Sequence, residues 1–126
     1  MDLENRIINN LQNNFFKLNK SCIGIGDDCA YLKKENLLIT TDTFVEDIHF
    51  DLIKYTPNQL AHKFFCANNS DIQSSGGTPK YCFLNISFPK DKAVFINSFL
   101  KYLSKILLSY KIILLGGDTT NSTKDI

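Results

Sequence analysis

Acidic side chains recur at four places along this chain, three of them next to glycine or threonine, and their oxygens could bind a metal ion. The four places are Asp27 and Asp28 after Gly24 and Gly26, Asp42 between Thr41 and Thr43, Asp71 three residues after Asn68, and Asp118 after Gly116 and Gly117. Mg²⁺ prefers carboxylate, phosphate and water oxygens, and clustered carboxylates repel one another without such an ion. The recurrence therefore favours a site for Mg²⁺ and phosphate.

Each of these motifs also has a purely structural explanation. Glycine and aspartate are common turn residues, so residues 24–30, taken alone, are typical of a solvated turn. His49 is either a structural or a functional side chain, whereas His62, beside Lys63 on a predicted helix, is interpreted as structural. The residue types alone leave both the metal site and the ordinary turns open.

Two common nucleotide-binding patterns are absent from the sequence. It contains no GxxxxGK[ST] phosphate loop and no glycine-rich kinase loop with its lysine and HRD partners. A clear Ser-His-Asp or Cys-His set is also missing, so no catalytic side chain is assigned. Any bound nucleotide is therefore not held by a P-loop.

Composition is that of an ordinary globular domain and argues against several function classes. The 126 residues are 44% hydrophobic and 21% charged, and the formal net charge of +1 argues against non-specific nucleic-acid binding. The four cysteines lack the spacing of a zinc site or a disulfide framework. The sequence shows no secretory signal and no membrane-spanning run. We expect a cytoplasmic domain with free thiols and neither a nucleic-acid nor a membrane partner.

Hydrophobic periodicity predicts the elements that position these side chains. The pattern predicts a helix over residues 2–18 with one buried face, hairpin strands at 29–32 and 37–41, and a helix starting at Thr56. It further predicts a strand at 81–88, a helix capped by Asp91 and reaching Tyr110, and a buried strand at 112–115. Thr56, Pro57 and Gln59 match a capping box. We expect the α/β (α+β) class, with a mixed sheet covered by helices on one face.

Six motifs in a fixed order resemble those of a known family. They are residues 24–30 (GIGDDCA), residues 41–43 (TDT), His49, residues 68–71 (NNSD), residues 77–79 (GTP) and residues 116–120 (GGDTT). With them the chain resembles, over nearly its whole length, the N-terminal half of the thiamine-monophosphate kinase family. That family lies in the ATP-binding superfamily of aminoimidazole ribonucleotide synthetase.

The resemblance implies a function and a set of site residues. The implied reaction is ATP-dependent phosphorylation of thiamine monophosphate to thiamine diphosphate, by direct Mg²⁺-assisted transfer without a covalent enzyme intermediate. The implied Mg²⁺ ligands are Asp28, Thr40, Thr41, Asp42, Asp71 and Asp118; the implied nucleotide contacts are Gly117 and Asp118, and the implied substrate contact is His49. The resemblance further implies ATP as co-substrate and a homodimer of the full-length protein.

The resemblance also sets expectations about domain organisation. Family members are longer, so residues 1–126 are expected to form an incomplete N-terminal ATP- and Mg²⁺-binding domain, inactive without the C-terminal domain. One alternative is a truncated or degenerate domain that binds Mg²⁺ or nucleotide without turnover. Another is a different superfamily member, such as a purine-synthesis ligase or selenophosphate synthetase, whose glycine-rich or cysteine-bearing start is not visible here.

Overall fold

The computed structural model describes residues 2–15 and 20–126. Within these residues the helices are α1 (Leu3–Asn14), α2 (Pro57–Ser74) and α3 (Ala93–Ser109), with a short 3-10 helix at Lys90–Lys92. The strands are β1 (Cys22–Ile23), β2 (Ala30–Leu32), β3 (Leu37–Ile39), β4 (Tyr81–Phe88) and β5 (Ile113–Asn121). Helices and strands in this mixture confirm the predicted α+β class.

Helix α2 begins where the sequence predicts. Thr56 Oγ1 accepts the Gln59 N–H over 3.2 Å, and Gln59 Oε1 accepts the Thr56 N–H over 2.9 Å. Pro57 occupies the first helical position, where its missing N–H costs no hydrogen bond. The predicted capping box is confirmed, and the helix continues far enough to include Asp71 in its last turn.

The described strands form two sheets, where the sequence predicted one. β1, β2 and β3 form an antiparallel sheet in which Ala30 pairs with Ile39, and β4 and β5 form a parallel pair. The hairpin of β2 and β3 is confirmed. Strand β3 ends at Ile39, so Thr40 and Thr41 lie in the loop that follows rather than in the strand. Strand β1 is not predicted, because two residues carry no detectable periodicity.

Strand β5 departs most from the sequence prediction. It was expected to be buried and to end at Leu115, yet it continues through the GGDTT motif to Asn121 and is exposed along its length. Pairing with β4 extends to the register of Phe88 with Asn121. Backbone hydrogen bonds to a neighbouring strand therefore outweigh the weak strand preference of glycine and aspartate.

The hydrophobic core joins α2 and α3 to the loop between β3 and α2. Its buried members are Phe50, Leu60, Ala61, Phe99 and Ile106. Phe64 stacks on Phe44 with ring centroids 4.1 Å apart, and it meets the rings of Phe50 and Phe99 edge-on. Aromatic packing thus fixes both ends of the segment 44–50 against the helices.

Two local predictions are wrong. The apolar stripe of α1 is not buried, since Leu3, Ile7 and Leu11 are 71%, 52% and 38% exposed. Asp91 does not cap α3; it lies in the 3-10 helix, and neither that helix nor α3 has a side-chain cap. The end of the predicted first helix, residues 16–18, lies outside the described residues.

Candidate functional site

Thr40 connects two acidic residues that are distant in sequence. The β2–β3 hairpin places Asp28 shortly before β2 and Thr40 directly after β3, while Asp71 lies in the last turn of α2. Thr40 Oγ1 lies 3.2 Å from Asp71 Oδ2 and 3.3 Å from the backbone carbonyl oxygen of Asp28. A single hydroxyl hydrogen can be donated to either oxygen. Three of the predicted ligands are therefore neighbours.

Further contacts fasten the turn before β2 to the end of α2. Ser74 Oγ lies within hydrogen-bonding distance of Asp28 Oδ2, at 3.3 Å, and of the Asp71 carbonyl oxygen, at 3.0 Å. The buried Cys29 thiol donates to the same carbonyl over 3.3 Å. A cleft of about 230 Å³ is lined by Asp27, Asp28, Cys29 and Ser74, among others. Asp28 is thus held beside Asp71 at an open surface.

Asp42 interacts electrostatically with these residues. Burial first, and the negative charge of Asp71 second, raise the pKa of the Asp42 carboxyl above its ordinary value of 3.8. Both effects disfavour the ionised carboxylate, and a nearby cation would oppose both. Asp28, Thr40, Asp42 and Asp71 are called the acidic cluster below. Their oxygens suit a hard cation.

Thr41 lies between Thr40 and Asp42 in the chain, but among the described residues no side-chain hydrogen bond joins Thr41 or Asp118 to the acidic cluster. Asp118 lies in β5 opposite Asn85, and its Oδ1 accepts the Thr119 N–H over 2.9 Å. Across residues 2–15 and 20–126, no three or more His, Cys, Asp or Glu side chains come close enough together to hold a metal ion. The six-residue ligand set therefore stays a prediction.

Gly117 has a structural role that the sequence analysis did not identify. Its φ is 150°, and a Cβ added there would lie 1.8 Å from the Leu84 carbonyl oxygen. Gly116 differs, because a Cβ there would meet only the Phe83 ring, at 3.8 Å. Close backbone packing of β5 on β4 explains the second glycine of the motif. A nucleotide contact at Gly117 and Asp118 stays a prediction.

His49 lies in a tight turn between β3 and α2. Its Nδ1 accepts the Val45 N–H over 2.9 Å, and its own N–H donates to the Val45 carbonyl oxygen over 2.8 Å. Because Nδ1 accepts, the proton of the neutral ring lies on Nε2. Lys63 Nζ bonds the His49 carbonyl oxygen over 2.5 Å. The turn therefore holds the His49 ring in one tautomer.

A cleft of about 310 Å³ adjoins this turn. It is lined by residues 47–51, which include His49, and by Lys54 and Tyr55. The cleft thus presents a ring N–H, an ammonium group and the carboxylates of Asp47 and Asp51 to one small space. The ammonium of Lys54 lies 3.4 Å from Asp51 Oδ2, so the lining gives no preference for a phosphate, and the substrate contact at His49 stays a prediction.

Sequence reasoning missed Ser74 and the ion pair between Glu46 and Lys92. Ser74 lies three residues after Asp71 on α2, and this spacing is the signal that could have identified it. Glu46 and Lys92 are 46 residues apart, and no local pattern connects them. Only the packing of α3 against the loop before α2 brings that pair together.

Comparison with known proteins identifies the family. The profile described as AIR synthase related protein, N-terminal domain, matches residues 26–126. This range includes the whole acidic cluster and the His49 turn. The chain belongs to this family. Its members share the fold described above, which confirms the expected aminoimidazole ribonucleotide synthetase-like architecture.

The similar curated relatives are thiamine-monophosphate kinases. The chain is 44% identical over 127 residues to that of Buchnera aphidicola subsp. Schizaphis graminum, covering 98% of this chain and 39% of the relative. It is 40% identical over 101 residues to that of Escherichia coli K12, covering 78% of this chain and 31% of the relative. The resemblance found from motifs is confirmed. The chain spans about two fifths or less of these relatives.

Two solved structures have a fold similar to that of this chain. One described as AaThiL complexed with AMPPCP and TMP has a TM-score of 0.81 at 29% identity, covering 99% of this chain and 41% of that one. Thiamine monophosphate kinase from Aquifex aeolicus has a TM-score of 0.75 at 24% identity, with the same two coverages, and supports the fold alone. Among the described residues, no helix combines the length and apolar character needed to cross a membrane.

Proposed function

We propose that this chain is part of a kinase that transfers the terminal phosphoryl group of ATP to thiamine monophosphate, giving thiamine diphosphate. Relatives that carry this enzyme name support the proposal, as does a similar structure that holds TMP and AMPPCP, an ATP analogue. The observation that carries it is the acidic cluster, where Thr40 links Asp71 to the turn of Asp28. Phosphoryl transfer depends mainly on alignment and charge neutralisation.

In this proposal residues 1–126 correspond to the N-terminal ATP- and Mg²⁺-binding domain. The chain spans 39% of the relative from Buchnera aphidicola subsp. Schizaphis graminum. The activity is therefore proposed for the full-length gene product, and the 126-residue chain is expected to be inactive alone.

The donor types of the acidic cluster suit Mg²⁺, the metal that the family resemblance implies, although the described carboxylates do not gather closely enough in this structure to hold the ion. Burial and the charge of Asp71 raise the pKa of Asp42, and a bound cation would relieve this repulsion. The donors are carboxylate, hydroxyl and carbonyl oxygens, which Mg²⁺ prefers to nitrogen or sulfur. In this proposal Asp28, Thr40, Asp42 and Asp71 hold the metal, and Thr41 and Asp118 complete the set. Bound Mg²⁺ would neutralise phosphate charge.

The chain's own side chains prepare this site. Thr40 orients the Asp71 carboxylate by hydrogen bonding to its Oδ2, and Ser74 does the same for Asp28. His49 offers an Nε2–H donor to the substrate from the cleft that it lines. The accepting phosphate oxygen of thiamine monophosphate is already ionised at neutral pH, so no side chain is needed as a strong base. Gly117 and Asp118 are proposed to contact the nucleotide.

We also infer that the full-length protein is a cytoplasmic homodimer, as the resemblance implies. Apolar side chains of the β4–β5 sheet support an interface, since Phe83, Ile113 and Leu114 are 70%, 57% and 52% exposed. Exposed strands of this kind commonly pair with another chain. Light scattering on the full-length protein tests the dimer, and a monomer at micromolar concentration would exclude it. No nucleic-acid or membrane partner is proposed.

A second candidate is a domain that binds Mg²⁺ or nucleotide without turnover. One observation favours its nucleotide-binding form over the kinase: within the part of the chain that the structure describes, no three metal-binding side chains gather closely enough to hold an ion, and metal-assisted transfer needs that ion. The two candidates differ in whether product forms, not in whether ATP binds.

The deciding experiment is an assay of the purified full-length gene product with thiamine monophosphate, ATP and MgCl₂. The kinase proposal requires thiamine diphosphate to form only when all three are present. Binding of an ATP analogue without product would favour the second candidate. For the 126-residue chain alone, calorimetry with Mg²⁺ and the analogue is expected to give weak binding or none. Tight binding would mean that the rest of the protein contributes less than proposed.

A further inference from the structure

Glu46 is the centre of a well-shielded set of polar contacts outside the acidic cluster. Lys92 Nζ lies 2.6 Å from Glu46 Oε1 and also contacts Oε2, and the Ile126 N–H donates to Oε2 over 2.9 Å. The Glu46 N–H in turn donates to the Ile126 carbonyl oxygen over 3.0 Å. Only 9% of the Glu46 side chain and 20% of the Lys92 side chain are exposed. Removing one partner of such a shielded pair is costly, because the other charge is left poorly solvated and unpaired.

Glu46 lies inside the turn that holds the His49 ring. Its neighbour Val45 donates its N–H to His49 Nδ1 and accepts the His49 N–H at its carbonyl oxygen. Glu46 itself forms an isolated backbone β-bridge with Phe50. The next residue, Asp47, has a φ of 65°, in the left-handed region that aspartate adopts more readily than most non-glycine residues but at some cost in backbone energy. Contacts with the rest of the molecule therefore help the turn to keep its form.

Besides the two hydrogen bonds between Glu46 and Ile126, three contacts support the turn, two from α2 and one from the residue before α3. Phe44 stacks on Phe64 of α2, Lys63 of α2 bonds the His49 carbonyl, and Lys92 binds Glu46 from the residue before α3. The first two fasten the ends of the turn to one helix. The Lys92 contact alone ties its middle to the start of α3, across the core.

We propose that Glu46 and Lys92 are positioning residues for substrate recognition. Their ion pair holds the 45–50 turn so that the Val45 N–H fixes His49 in the Nε2–H tautomer beside the cleft. This inference rests on the proposed function, in which His49 contacts thiamine monophosphate. Neither residue touches the substrate; they act through the geometry of the turn.

The test compares Lys92→Met, Lys92→Arg and the control Lys105→Met in the full-length gene product. Lys92→Met keeps the alkyl stem but removes the ammonium, while Lys105 lies on the exposed face of α3 over the Tyr102 ring. We expect Lys92→Met to raise the KM for thiamine monophosphate about tenfold, with kcat and the KM for ATP changed less than about threefold. Lys92→Arg and Lys105→Met should stay within about threefold of the wild type. An unchanged KM for thiamine monophosphate, or an equal rise in the KM values for thiamine monophosphate and ATP, would overturn the proposal.

A second readout does not depend on kinase activity. Nitrogen-15 NMR of the imidazole, assigned with a His49→Gln variant, should show the single Nε2–H tautomer in the wild type. It should show mixed tautomers in Lys92→Met. A single tautomer in both proteins would refute the positioning role even if the kinase proposal held. An inactive wild type that still shows the tautomer change would contradict only the kinase proposal. Where Lys92→Met does not fold, Glu46→Gln, which keeps the shape of the side chain, replaces it in both measurements.

Discussion

Thr40 Oγ1 lies 3.2 Å from Asp71 Oδ2, although 31 residues separate the two in sequence. This contact joins the loop after β3 to the last turn of α2, and Ser74 joins the same turn of α2 to Asp28. The acidic cluster is thus built where the β2–β3 hairpin meets the end of one long helix. Its members can be tested one at a time.

Asp42→Asn should abolish turnover in the full-length protein, with kcat/KM reduced at least about 100-fold, while the protein stays folded. Without Mg²⁺ the variant should be slightly more stable, because one carboxylate of a repelling pair is gone. Asp42 is solvent-exposed, so screening keeps this gain below about 1 kcal/mol. In thermal melts, adding MgCl₂ should raise the melting temperature of the variant less than that of the wild type. Asp91→Asn, which removes a carboxylate that caps no helix, is the control. Full activity of Asp42→Asn would refute its role as a metal ligand.

Asp118→Asn tests a residue that the structure leaves apart from the acidic cluster. If Asp118 completes the ligand set, turnover should be lost while the melting temperature stays close to that of the wild type. The amide oxygen of the variant side chain can still accept the Thr119 N–H, and this hydrogen bond is exposed, so stability should change little. Wild-type kinetics for this variant would remove Asp118 from the proposed site without affecting Asp42.

Gly117→Ala should destabilise the full-length protein by about 2 kcal/mol or more, because the new Cβ would overlap the backbone of Leu84 and the residue keeps a positive φ. Gly116→Ala is the matched control, since its Cβ makes only ordinary contact with Phe83. It should change stability by less than about 1 kcal/mol. Urea unfolding followed by circular dichroism measures both. Equal effects would show that the close approach of β5 to β4 is not what requires the glycine.

Glu46 predicts a pH dependence of stability. Burial acts to raise its pKa, but hydrogen bonds from Lys92 and the Ile126 N–H, together with the charges of Lys92 and Lys124, hold that pKa below its ordinary value of 4.5. A carboxylate of this kind stabilises the fold above its unfolded pKa and loses that contribution as pH falls through the folded pKa. Between about pH 6 and about pH 3 the wild type should therefore lose more unfolding free energy than Glu46→Gln. Parallel curves of unfolding free energy against pH for the two proteins would contradict this prediction. Asp51→Asn, at the more exposed pair of Asp51 with Lys54, should show a smaller difference.

Thr56→Ala should destabilise the protein by about 1 kcal/mol, because it removes the hydroxyl that accepts the Gln59 N–H at the start of α2. Asn58→Ala, at the second residue of α2, should change stability by no more than about 0.5 kcal/mol. Denaturant unfolding distinguishes the two. A Thr56→Ala variant as stable as the wild type would mean that packing of Leu60 and Ala61, rather than the cap, sets where the helix begins.

Local sequence rules predicted those parts of the fold that depend on neighbouring residues. The capping box at Thr56, the hairpin of β2 and β3, and strand β4 all follow from contacts or patterns a few residues long. The order of glycine, aspartate and threonine motifs also identified the family and the chemical type of the proposed ligands. Such features need no knowledge of the rest of the chain, since a cap or a turn satisfies its hydrogen bonds locally.

Tertiary structure decided which of these residues meet. Only the packing of the hairpin against the end of α2 places Thr40 beside Asp71, and only the approach of the residue before α3 gives Glu46 its partner Lys92. The exposed β5 and the need for glycine at position 117 likewise depend on pairing with β4. The sequence by itself determined the kinds of oxygen donors available for a phosphate site. Long-range packing determined their neighbours, because residues far apart in sequence meet only when the elements between them are in place.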